Sequence, residues 1–116
     1  MRSGALVQLT AGSFTGDHGA AARRTAALLL AGGMAHLLAS DAHSAGPWRG
    51  PELEPGLVAA ADAVDVHPQT LRWMVDDGPR AVLEGRPVRP PRLTPARRPP
   101  AVARPERGGR RQPTRR

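Results

Sequence analysis

The sequence contains no cysteine, no tyrosine and no lysine, and its only aromatic residues are Phe14, Trp48 and Trp73. Without cysteine, disulfides and thiolate metal ligands are excluded, so a metal could be held only by oxygen and imidazole groups. Three aromatic residues do not make a platform on which bases stack, and we expect no specific nucleic-acid partner. Without lysine, the loop after Thr10 cannot be a P-loop, which requires Gly-Lys-Ser/Thr.

Long apolar runs are also absent. The run from Ala26 to Ala31 is short and is interrupted by Gly32 and Gly33. A run of this length does not span a bilayer, and no segment has the pattern of a signal peptide. We therefore expect a cytoplasmic protein.

Charge is divided unevenly along the chain. Residues 1–85 contain six arginines and nine acidic residues (net −3), whereas residues 86–116 contain eleven arginines, one acidic residue and eight prolines (net +10). We expect residues 1–89 to be folded and residues 90–116 to be a disordered basic tail rich in proline and arginine. Such a tail could contact nucleic acid or an anionic membrane weakly. A non-catalytic binding module is therefore the alternative function.

The apolar pattern predicts an α/β fold in the order strand, helix, strand, helix, helix. The predicted elements are a strand over 5–10, a loop over 11–19, a helix over 19–31, a strand over 35–39, a helix over 53–66 with Leu57, Val58, Ala61 and Val64 inside, and a third helix from Pro68 that ends at Gly78-Pro79. The first helix has the length of a crossover between two parallel strands. Two parallel strands do not complete a sheet, which indicates the last part of a larger α/β fold.

Asp41 and His43 are the candidate metal ligands. They follow a predicted buried strand in the segment Ser40-Asp41-Ala42-His43. Residues i and i+2 of an extended segment point to one side, and active sites of parallel α/β folds gather where the strands end. A carboxylate with an imidazole suits Zn, Mn or Fe better than Mg or Ca. The alternative interpretation is an aspartate that caps a loop beside a solvated histidine.

The remaining candidates are three histidines and one arginine. His36 is interpreted as a packing residue inside the second strand, His18 as a solvated loop residue that could face the same edge, and His67 as a residue at a helix start. Arg49 lies six residues after His43, and its guanidinium could form a bidentate pair of hydrogen bonds with a phosphate. The alternative for Arg49 is a solvated loop residue.

Four motifs occur in a fixed order: Gln8-Leu-Thr-Ala-Gly-Ser-Phe-Thr-Gly-x-x-Gly19, Ala39-Ser-Asp-Ala-His-Ser44, His67-Pro-x-x-Leu71 and Gly85-Arg-Pro-Val88. In this order they resemble the C-terminal part of the bacterial manganese-dependent protein-tyrosine phosphatases of capsule and exopolysaccharide clusters, the CpsB/CapC type. Those phosphatases belong to the polymerase and histidinol phosphatase (PHP) superfamily. The resemblance covers about residues 5–89.

The resemblance implies a fragment of a distorted (β/α)7 barrel with a multinuclear cluster of Mn, or of Fe or Zn. It implies that Asp41 and His43 are metal ligands and that Arg49 contributes to phosphate binding. The expected substrate is a phosphotyrosine protein, such as a bacterial tyrosine kinase of polysaccharide export.

The sequence departs from the family pattern in three places. Arg49 lies one residue further from His43 than the corresponding arginine does in the family. Asp17 and His18 stand where the family loop has a basic residue and a phenylalanine, and no His-x-His motif occurs in the 116 residues. Because that motif supplies other metal ligands, we expect this chain to be a truncated domain that is inactive in isolation.

Overall fold

The computed structural model describes residues 4–46 and 50–95. Its elements are a mixture of helices and one small parallel sheet, as the sequence predicts. In chain order they are β1 (Gln8–Thr10), α1 (Ala11–Thr15), α2 (Gly19–Ala31), β2 (Leu37–Ala39), α3 (Glu54–Ala63), a 3₁₀ helix (Pro68–Met74) and α4 (Asp77–Leu83).

The sheet pairs β1 with β2 in parallel, with Leu9 opposite Leu38 and Thr10 opposite Ala39. Both strands are shorter than predicted, and before Gln8 the main chain of Val7 bonds both to the side chain and to the backbone of His36. The amide of Val7 donates to Nδ1 of His36 at 3.1 Å, and the carbonyl of Val7 accepts from the amide of His36 at 2.8 Å. His36 is half-buried, as predicted, but it precedes β2 instead of lying inside the strand, and its ring accepts a backbone hydrogen bond.

The core lies between the sheet and the helices. It consists of buried apolar side chains from every element except α4, namely Leu9, Phe14, Ala26, Leu30, Ala35, Leu38, Leu57, Ala60, Ala61, Val64, Leu71 and Met74. No polar or charged residue is buried among the described residues. The sequence placed Leu57, Ala61 and Val64 inside correctly, but Val58 is 48% exposed, so its assignment to the inner face was wrong.

The predicted loop over residues 11–19 is also wrong, because its first half forms α1. Glycine, serine and threonine made the segment resemble a turn, but Phe14 is only 1% exposed and its burial holds the helix on the core. The helix ends at Gly16, which has a φ of 99° and can adopt it without a Cβ penalty.

The bounds of α2 agree with the prediction. Its apolar face buries Ala26 and Leu30, and Gly33 follows the last turn with a φ of 68°. The amide of Met34 donates to the carbonyl of Leu29 at 2.9 Å, which satisfies one of the carbonyl groups left open at the helix end.

The segment after α3 differs from the predicted third helix in two ways. Residues 68–74 wind as a 3₁₀ helix, which buries Leu71 and Met74, and Gly78 and Pro79 lie in the first turn of α4 instead of ending a helix. Proline is tolerated there because amides of a first turn have no intrahelical acceptor. A Cβ on Gly78 would lie 3.1 Å from the carbonyl oxygens of His36 and Trp73, so glycine permits a close approach at this point.

Beyond α4, Leu93 packs against the core as a half-buried residue. Residues 96–116, most of the predicted tail, lie outside the described residues. None of the helices in the described segments has the length and hydropathy that crossing a bilayer requires.

Candidate metal site

The carboxyl ends of β1 and β2 lie side by side, since Thr10 is the register partner of Ala39. The chain leaves β2 through Ser40-Asp41-Ala42-His43 at this edge. In parallel sheets this edge is where the connecting loops collect and where ligands bind. The candidate ligands thus emerge at the position that the sequence predicts.

Asp41 itself departs from the extended conformation that the prediction assumed. Its φ is 54°, in the left-handed region that aspartate tolerates better than most residues. The side chains of Asp41 and His43 lie close together, with 3.9 Å between His43 Nδ1 and Asp41 Oδ1.

One nitrogen of His43 has a defined partner. Nδ1 lies 2.7 Å from the backbone carbonyl oxygen of Asp41. The side chains of His43 and Asp41 are 60% and 41% exposed, so a ligand can reach both from solvent. At this exposure water competes for both side chains, so their contact contributes little to folding.

The rings of His36 and His67 form a different kind of hydrogen bond from that of His43. In each of them Nδ1 accepts a hydrogen bond from a backbone amide, that of Val7 at 3.1 Å and that of Gln69 at 3.2 Å. His67 caps the 3₁₀ helix in this way, as expected for a residue at a helix start. Both rings therefore hold the local backbone in place.

A cleft of about 510 Å³ opens at the same edge of the sheet. Thr10 and Ser40 contribute the strand ends, and Asp17, His18 and Glu52 contribute ionisable side chains. His18 was a sequence candidate for this edge, whereas Asp17 and Glu52 were not predicted to lie there. Only their positions in loops beside helix ends could have indicated that these two residues line a cleft.

Asp17 is positioned by a local contact. The hydroxyl of Thr15 donates to Asp17 Oδ2 at 2.8 Å. A Cβ on Gly12 would lie 3.3 Å from the same oxygen and 3.0 Å from Nε2 of His18. The glycine in α1 therefore leaves room for these two side chains at the wall of the cleft.

The donor types of Asp41 and His43 fit a cation such as Mn, Fe or Zn. In residues 4–46 and 50–95, however, no group of three or more His, Asp or Glu side chains is arranged to hold a metal ion. The pair therefore fits two ligands of a metal site and does not complete one. Arg49, the predicted phosphate-binding residue, lies outside the described residues.

Comparison with known proteins gives one match. No curated protein and no solved structure matches the chain. Residues 1–67 match the profile of a family described as capsular polysaccharide synthesis, CpsB/CapC. The match includes β1, α1, α2, β2, α3 and the segment with Asp41 and His43. Since it extends over more than half of the sequence, the chain belongs to the CpsB/CapC family.

Proposed function

We propose that this chain supplies part of the active site of a metal-dependent phosphoester hydrolase that acts on phosphotyrosine. Membership of the CpsB/CapC family implies a role related to capsular polysaccharide synthesis. The proposal of a metal-dependent hydrolase rests on one observation. Asp41 and His43 lie together at the carboxyl edge of a parallel sheet, with 3.9 Å between Oδ1 and Nδ1.

In this proposal the Asp41 carboxylate and Nε2 of His43 hold a cation of the Mn, Fe or Zn type, one member of a multinuclear cluster. Such a cation, when bound, polarises a phosphoryl group and offsets the charge that develops during its hydrolysis. Arg49 binds the phosphate oxygens through its planar guanidinium. The cleft beside the pair receives the remainder of the substrate.

The architecture that goes with this function is a (β/α)7 barrel of the PHP type, of which residues 1–89 form the last part. The other metal ligands then come from polypeptide beyond the described residues. A phosphorylated tyrosine kinase of polysaccharide export is the proposed substrate, and the cytoplasm is the proposed location.

Metal binding and hydrolysis by the purified full chain test the proposal. We expect weak Mn²⁺ binding that Asp41→Ala removes, and no turnover of a phosphotyrosine peptide, because a two-ligand site lacks the rest of the cluster. Asp62→Asn is the matched control, since the Asp62 side chain on α3 is 81% exposed and its carboxylate pairs with Arg23 at 3.7 Å. Mn²⁺ binding that survives Asp41→Ala contradicts the assignment of the ligand. Stoichiometric metal with turnover by the chain alone contradicts the incomplete site.

A further inference from the structure

We infer that the main chain of Asp41 is a positioning element that fixes the tautomer of His43 and leaves Nε2 as its ligand atom. The part of this inference that concerns a cation rests on the proposed function. The part that concerns the tautomer rests on geometry alone and is testable without a metal.

The tautomer follows from the chemistry of the two partners. A backbone carbonyl only accepts hydrogen bonds, so an imidazole nitrogen 2.7 Å from it must carry the proton. Neutral imidazole has one N–H, and its other nitrogen then has a lone pair. His43 is therefore the Nδ1–H tautomer, with the lone pair of Nε2 available for a ligand.

The opposite holds for two other histidines of the chain. In His36 and His67, Nδ1 accepts from a backbone amide, so Nδ1 is unprotonated and Nε2 carries the proton. An Nε2–H group is not a metal ligand. The backbone contacts thus separate His43 from His36 and His67, although all three are imidazoles at exposed or half-buried positions.

Asp41 contributes two separable groups here, a carboxylate and a main-chain carbonyl. The distance from the carbonyl oxygen to His43 Nδ1 depends on the backbone torsions of Ala42 and on the backbone and side-chain torsions of His43. A substitution of the Asp41 side chain therefore removes the carboxylate and leaves the carbonyl in place.

Nitrogen-15 NMR of the full chain at about pH 8, where an ordinary imidazole is neutral, reads the tautomers directly. We expect the Nδ1–H pattern for His43 and the Nε2–H pattern for His36 and His67 in one spectrum. An Nε2–H pattern for His43 overturns the inference. The other two histidines report in the same spectrum that the chain is folded.

One variant separates the carbonyl from the carboxylate. Asp41→Gly removes the carboxylate, tolerates the φ of 54° and keeps the main-chain carbonyl, so the Nδ1–H pattern of His43 should persist. Loss of that pattern in Asp41→Gly, with His36 and His67 unchanged, overturns the positioning role of the main chain, because the carboxylate would then be the group that holds Nδ1–H.

Addition of Zn²⁺ distinguishes failure of this inference from failure of the proposed function. Perturbation of Nε2 of His43, with Nδ1 still protonated, supports both. An Nδ1–H tautomer without any effect of Zn²⁺ on His43 supports the positioning role and contradicts the proposed ligand. Zn²⁺ bound through Nδ1 contradicts the positioning role and supports the ligand.

Discussion

Burial differs sharply between individual leucines of this small core. Leu57 is 1% exposed and Leu83 is 88% exposed. We predict that Leu57→Ala lowers the free energy of unfolding by about 2–5 kcal/mol, because transfer and cavity terms add at a buried site. Leu83→Ala should change it by less than about 0.5 kcal/mol. Urea unfolding followed by circular dichroism measures both, and equal effects would contradict the core described here.

At the same scale, the identity of the candidate ligands could be predicted from sequence, whereas their geometry could not. The type and spacing of Asp41 and His43 after an apolar strand indicated a metal site. The contact of His43 Nδ1 with the Asp41 carbonyl depends on the torsion angles of Ala42 and His43. Many residue types adopt the same angles, so no residue pattern specifies them.

At the scale of elements, α1 and α3 approach closely through Gly56. A Cβ on Gly56 would overlap the Cβ of Ala11 and would lie 2.9 Å from its Cα. We predict that Gly56→Ala destabilises the fold by about 1–3 kcal/mol through overpacking, although alanine favours helix. Thermal or urea unfolding measures the change.

The companion change Ala11→Gly should restore part of this loss, because it removes the overlapping Cβ but not the Cα. Gly46→Ala is the control, since among the described residues the heavy atom nearest to its added Cβ would be 3.9 Å away, and it should be nearly neutral. A stabilising Gly56→Ala, or no rescue by Ala11→Gly, would contradict the close helix contact.

Elements with a strong apolar period were predictable, and elements held by single contacts were not. The helix over residues 19–31 has a regular apolar face and a glycine end, and its bounds were confirmed. The helix α1 is five residues long and depends on the burial of Phe14. In α4, Gly78 and Pro79 were interpreted as a helix end, because the close approach of Gly78 to His36 and Leu37 is a tertiary contact that local sequence does not indicate.

At the scale of the whole molecule, the sheet has only two strands among the described residues, so β1 and β2 each have one partner. Leu6 and Met34, which precede the strands, are 44% and 40% exposed. Parallel sheets are normally covered on both faces. We therefore predict a net stability of no more than about 3–5 kcal/mol for the chain alone. A cooperative urea transition well above this value would contradict the fragment interpretation.

The central claim, that Asp41 and His43 bind a cation, is tested most directly by adding Mn²⁺ to the isotope-labelled full chain. Paramagnetic broadening reports which nuclei lie near the ion even when binding is weak. The predicted result is that signals of Asp41 and His43 broaden at the lowest Mn²⁺ concentration, before those of His36 and His67. Broadening that begins at Asp17, His18 and Glu52 and leaves His43 unaffected would contradict the claim.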